Sequence, residues 1–187
     1  DKLVLAPGDR AEIIVDTSDG PVTLVDDEFG RVLALRPAPT LPVAEHPPER
    51  LATIERITEN MIDGERTFVL DEVADGWGIN GLQMDMTRID QTIELGSTER
   101  WTITARDGIH TFHTHQTTFQ ILEINGQPPG PEDSGWEDNV IVTEGMEVVI
   151  AARFDSYANP DIPYMFHCHI LDHEDTGMMG QFQVIEN

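Results

Sequence analysis

One cysteine, Cys168, stands in 187 residues, so no disulfide can form within the chain. A lone cysteine is most often a small buried hydrophobe; here its neighbours, described below, point elsewhere. Lysine is as scarce: Lys2 is alone, every other base is arginine, and 35 acidic residues against 11 bases give a formal net charge of -24. A surface of that sign repels a polyanion at long range, which argues against nucleic acid as a partner. The acidity admits two readings, a strongly hydrated surface such as a salt-adapted organism uses, or attraction of cationic and metal-ion substrates. No apolar run reaches the roughly 18 residues that a membrane-spanning helix needs. Initiator methionine and signal-peptide pattern are missing too: the chain opens on DKLVLAPGDR. That opening reads as mid-protein sequence, so a processed product or a fragment is expected.

Hydrophobic residues make up 39% of the chain, enough for a packed core. Long amphipathic helical patterns are absent, and short β-rich runs recur between turn signals. Three zones follow. Residues 1–35 carry a turn at Ala6-Pro7-Gly8-Asp9, an apolar strand at 11–15, a turn at Asp19-Gly20-Pro21 and a strand at 22–25. They are too few to bury a core and are expected to close a preceding β domain. Residues 36–50 hold five of the twelve prolines and read as a semi-rigid linker. Residues 51–187 form the main domain. Strands are predicted there at 67–70, 92–95, 100–105, 118–124, 140–143, 147–154, 164–169 and 181–185, a spacing that suggests an all-β sandwich or barrel. Asn80-Gly81 and Asn125-Gly126 are tight-turn pairs, and 128–136 reads as a surface loop.

Six of the seven histidines fall in two motifs, HTFHTH at 110–115 and HCHILDHEDTGM at 167–178. Successive side chains on a strand point to opposite faces. His167 and His169 therefore share one face while Cys168 takes the other. His113 and His115 share a face, and His110 has the opposite parity. Two sites on opposite sides of the same strands result. One receives Cys168 and His110, with His173 five residues and Met178 ten residues beyond the cysteine able to fold back. Two imidazoles, a thiolate and a weak axial thioether make a blue-copper electron-transfer site. Zinc is the competitor, although structural zinc sites draw on paired cysteines. The other site has His113, His115, His167 and His169 and suits copper, zinc or iron. Cys168 is covalently flanked by two of its members, which gives a through-bond path between the sites. That implies an enzyme that collects electrons singly and spends them together.

These residues resemble the signature of the multicopper oxidases, a family that includes laccases and bacterial cuprous oxidases. HTFHTH is similar to the family's HPFHxH, and HCHILDHEDTGMM to its HCHxxxHxxxGM. The resemblance covers the main domain, and residues 1–35 look like the close of that family's second domain. It implies cupredoxin-like folds, Greek-key β-barrels. It also implies that His110, Cys168, His173 and Met178 hold a type 1 copper, that His113 binds the type 2 copper, and that His115, His167 and His169 bind the type 3 pair. Glu174 looks like the family's acid in the proton path of oxygen reduction, against the plainer reading of a solvated surface carboxylate. Met165 and Met179 read as packing residues and His46 as exposed.

Two departures stand out. Thr111 replaces the usual proline, expected to alter stiffness more than chemistry. No HxH pair precedes His113, so the chain supplies four of the eight histidines the family's cluster takes, the rest belonging to an N-terminal cupredoxin domain. The resemblance thus implies an oxidase that takes electrons from a phenol, an aromatic amine or a metal ion and reduces O2 to water, outside the cytoplasm or in the cell envelope. The dispersed methionines lean toward a laccase-like substrate. The alternatives are a copper-binding electron-transfer module, a fragment inactive without its N-terminal domain, or a cupredoxin scaffold; copper nitrite reductase has no use for the HCH triplet.

Overall fold

Alternation of side chains shapes the protein. In the strand Thr98–Ala105, Trp101, Ile103 and Ala105 are buried on one face while Thr102 and Thr104 lie on the other, the period of two that a strand demands. In this computed structural model residues 2–38, 48 and 51–186 are described. The chain divides into two units, Asp1–Asp9 with Ile54–Asn187, and Arg10–Thr53. Among the described residues the smaller unit contains one antiparallel pair, β1 (Val22–Asp26) and β2 (Gly30–Leu35). Residues 11–15, predicted as a strand, form none, because no neighbouring strand among the described residues pairs with them. Of the expected linker only 36–38 and 48 are described; the rest of it, with His46, lies outside the described residues.

The larger unit is a sandwich of two five-stranded sheets. Its strands are β3 (Gly64–Val73), β4 (Gly76–Ile79), β5 (Gln91–Glu94), β6 (Thr98–Ala105), β7 (Ile109–Thr114), β8 (Phe119–Ile124), β9 (Asn139–Thr143), β10 (Glu147–Arg153), β11 (Tyr164–His167) and β12 (Met179–Ile185). One sheet has the order β4-β3-β6-β10-β8 and the other β5-β12-β11-β7-β9. Two pairings, β3 with β6 and β5 with β12, are parallel, and the rest are antiparallel. This is the all-β, cupredoxin-like fold that the sequence led us to expect.

Asn80-Gly81 and Asn125-Gly126 both turn with positive φ, at 55° and 75° and at 51° and 71°. That is the backbone which two-residue hairpin turns need and which Asn-Gly tolerates. The core lies between the sheets, with Phe68, Trp101, Phe112, Phe154, Phe166 and Phe182 fully or almost fully buried. Phe68 meets Trp101, Phe112 and Phe166 at ring-centroid distances of 4.9, 5.1 and 4.9 Å in tilted and edge-on geometry, the arrangements that aromatic quadrupoles favour. Beneath Trp101, Glu99 is 5% exposed. Its carboxylate accepts from the indole Nε1–H at 2.7 Å and from the Arg66 guanidinium at 2.6 and 2.8 Å. A buried charge survives only with such pairing.

Candidate copper-binding centre

β7 and β11 place the site. Phe112 and Phe166 are core residues, so by parity His110 and Cys168 face the core, while His113, His115, His167 and His169 face outward. Cys168 and Met178 both belong to the buried core, and His110 is fully buried.

On the core side, His110 Nδ1 and His173 Nδ1 stand 3.0 Å apart, and Cys168 Sγ is 3.7 Å from His173 Nδ1. His110 is held by its other nitrogen: Nε2 lies 2.9 Å from the Asp107 carbonyl. Donation to that carbonyl fixes the tautomer and leaves Nδ1 free to bind a metal. Cys168 N–H donates to the Met178 carbonyl at 3.1 Å, and Met178 N–H to the His173 carbonyl at 2.9 Å. The backbone thus folds the ligand loop back on itself, through a single helical turn α1 (Leu171–Asp175) that the sequence did not announce.

Trp77 on β4 is a residue that sequence reasoning missed. Its ring lies over His173 at 4.1 Å and 31°, and edge-on to His110 at 5.2 Å. Burial, and the nearby His110, hold the His173 imidazole below its ordinary pKa, which keeps it in the neutral form that a metal requires.

On the outer side, His115 Nε2 and His167 Nε2 approach to 3.1 Å, and the His113 ring lies 4.6 Å from that of His169. His113 Nδ1 donates to the Asp138 carbonyl at 2.7 Å, and His167 Nδ1 to the Cys168 carbonyl at 3.0 Å. Again one nitrogen is tied to the backbone and the other is free. Burial pushes His113 down to about 4, and His115 and His167 in the same direction. One Glu174 oxygen sits 3.5 Å from His167 Nδ1 and 3.6 Å from His169 Nδ1, between the two rings. An open cavity of about 770 Å³ adjoins His113 and His115, with Gln116, Asp138 and Tyr164 in its walls.

Among the described residues, three groups of side chains have ligand atoms close enough to share an ion: His110, Cys168 and His173; His113, His115 and His167; and His167, His169 and Glu174. The first offers one cysteine sulfur, two imidazoles and a buried methionine alongside, a donor set that fits copper. The second offers imidazole alone.

The N-terminal turn completes the outer side. Gly8 has φ +92°, and a Cβ there would stand 2.5 Å from His169 Cδ2. Asn139, which pairs with His113 across β7 and β9, donates to the Pro7 carbonyl at 3.0 Å and to Asp9 Oδ1 at 2.6 Å. No sequence signal ties residues 6–9 to a histidine some 160 positions away. Asp138 acts on His113 through its backbone carbonyl, which any residue supplies, whereas Asp107 sets both its carbonyl and a carboxylate oxygen, at 2.9 and 3.5 Å, against His110 Nε2.

Residues 46–187 match a family profile described as multicopper oxidase. Cell division protein FtsP of Escherichia coli is 35% identical, over 98% of this chain and 42% of its own length. Multicopper oxidase mco of Staphylococcus aureus is 32% identical, over 96% of this chain and 38% of its own. Among solved structures, the laccase-like multicopper oxidase CueO of Ochrobactrum sp. superposes with a TM-score of 0.75 at 31% identity, over 86% of this chain and 40% of that one. A laccase of Pediococcus acidilactici gives 0.75 at 30%, over 88% of this chain and 36% of its own. The chain therefore spans less than half the length of these relatives.

Proposed function

Since the chain belongs to the multicopper oxidase family, we propose that it is the C-terminal portion of an oxidase that takes single electrons from a reducing substrate and delivers them to O2. The observation that carries this reading is the convergence of Cys168, His110 and His173 on one side of β7 and β11, with four histidines on the other. His110, Cys168 and His173 would hold a type 1 copper, with Met178 as its weak axial ligand. His113 would hold a type 2 copper, and His115, His167 and His169 the type 3 pair, shared with an N-terminal cupredoxin domain. Bound copper would supply one-electron acceptance at the first site and reduction of O2 to water at the second.

The chain's own residues do the rest. Cys168 is bonded through the backbone to His167 and His169, so the polypeptide itself joins the two sites. The carbonyls of Asp107, Asp138 and Cys168 hold the rings of His110, His113 and His167 in the tautomer that leaves the other nitrogen to bind a metal. Glu174, between the Nδ1 atoms of His167 and His169, is placed to hold and release a proton beside the oxygen-reducing site. Residues 1–35 fit the close of a preceding cupredoxin domain and 36–50 the link to the present one. The reducing substrate is a phenol, an aromatic amine or a metal ion, and the protein works outside the cytoplasm or in the cell envelope. A role in cell division, which the name of the E. coli relative states for that protein, is a second reading that the 35% identity favours.

Oxygen uptake by the protein extended through its N-terminal domain, with a phenolic reductant, separates the two. Uptake that disappears in Cys168→Ser is expected. Equal uptake in both proteins, or none in either after copper loading, goes against an oxidase.

A further inference from the structure

β7 meets β9 on one side and β11 on the other, and its backbone N–H groups alternate between them. Thr114 N–H donates to Asp138, on the β9 side, and His115 N–H to Met165 in β11. The odd-numbered residues therefore face β11. Pairing with β11 stops at His167 opposite His113, so the next odd-numbered N–H toward the N-terminus, that of Thr111, has no strand to bond. It turns to sulfur, lying 3.4 Å from Cys168 Sγ. The Thr111 hydroxyl accepts from His169 N–H at 2.7 Å and stands 3.8 Å from the same sulfur. Thr111 is fully buried, so water does not compete for these contacts. Ile170 N–H adds a further donor to the sulfur at 3.5 Å.

We infer that Thr111 is a positioning residue for Cys168, whose backbone N–H and hydroxyl withdraw electron density from the thiolate and raise the reduction potential of the copper it binds. This rests on the proposed copper site. Hydrogen bonds to the cysteine sulfur are one of the levers that set such potentials, because a thiolate that shares its charge with donors stabilises Cu(II) less. The same hydroxyl holds the backbone of His169, so one side chain reaches both candidate sites. A proline at 111 could make neither contact: it has no N–H, and its ring carries no hydroxyl. The residue's place in the sheet also tolerates proline. Its N–H bonds no neighbouring strand, and the preceding residue is already extended, as proline requires.

The test is the reduction potential of the copper-loaded chain, measured by redox titration of its thiolate-to-copper absorption in wild type, T111S, T111V and T111P. T111S keeps both donors and is expected to match wild type. T111V keeps the N–H and loses the longer hydroxyl contact, so its potential should fall slightly. T111P should move the Cu(II)/Cu(I) equilibrium about tenfold toward Cu(II), a fall of about 59 mV for one electron. Equal potentials in wild type and T111P, both blue, overturn the inference while leaving the copper site standing. Should T111P not fold, T111V decides, and a potential equal to or above that of wild type overturns the inference. A wild-type chain without the absorption band overturns the copper site, and this inference with it.

Discussion

Replacing Gly8 by alanine tests whether the N-terminal turn supports the outer histidines. Two separate penalties are expected. Gly8 sits at φ +92°, and a side chain in the left-handed region costs about 1–2 kcal/mol. The added Cβ would also meet His169 Cδ2 at 2.5 Å and Asn139 Nδ2 at 3.3 Å, against an ordinary carbon–carbon separation of about 3.5 Å. The imidazole must therefore move by about 1 Å, and holding it off its rotamer costs about 1 kcal/mol. Together these come to about 2–3 kcal/mol, roughly 4–12 °C in Tm for a chain of this size. Gly126 provides the control, since its φ is +71° and a methyl added there would have nothing within 4 Å. G126A should show the backbone penalty alone. Calorimetry of the metal-free variants gives the difference, and only G8A should also weaken metal binding at the outer histidines. Equal melting temperatures for G8A and G126A, with unchanged metal binding, would refute the contact between turn and His169.

Three further outcomes are expected. W77L, which removes the ring stacked on His173 and set edge-on to His110, should raise the copper dissociation constant at the thiolate site about tenfold; W77F should restore most of it, and equal affinities by competition titration would count against the stacking role. E99A leaves the Arg66 guanidinium and the Trp101 indole N–H without their shared partner. Denaturant unfolding should show a loss of about 3 kcal/mol, with E99Q milder, and a loss below about 0.5 kcal/mol would contradict that account. The third concerns pH. The unfolded chain protonates its histidines from about pH 6.5 downward, whereas folded His113 waits until about 4. Over that interval the unfolded state binds more protons at this site, so His113 makes the metal-free fold lose stability as pH falls from about 6.5 through about 4 and adds no pH dependence above about 6.5. H113Q should flatten that slope in urea titrations, and an unchanged slope would show that His113 does not contribute.

The sequence carried what is local and periodic. Asn80-Gly81 and Asn125-Gly126 specify their turns by backbone chemistry, and the alternation through 110–115 and 166–169 separates the side chains onto two faces. What it left out is made by partners distant in the chain. Trp77 reaches His173 because β4 lies beside α1, and nothing in the residues around 77 shows that. The turn α1 is only five residues long, without a side-chain cap at Ile170, so it offers neither periodicity nor a start signal. Residues 11–15 have the apolar character of a strand, but a strand exists only where a neighbour accepts its hydrogen bonds. Thr111 is the instructive position. As a residue type it suggested a change in stiffness, and only the end of the β11 ladder at His167 reveals that its N–H is directed at sulfur.

On the proposed function, this chain builds one complete copper site around Cys168 and half of a second. Copper counting with visible and electron paramagnetic resonance spectra of the loaded chain tests it most directly. An intense thiolate-to-copper absorption with about one copper per chain is expected, lost in Cys168→Ser while the fold persists. A colourless loaded chain, or a band that survives in Cys168→Ser, would contradict it.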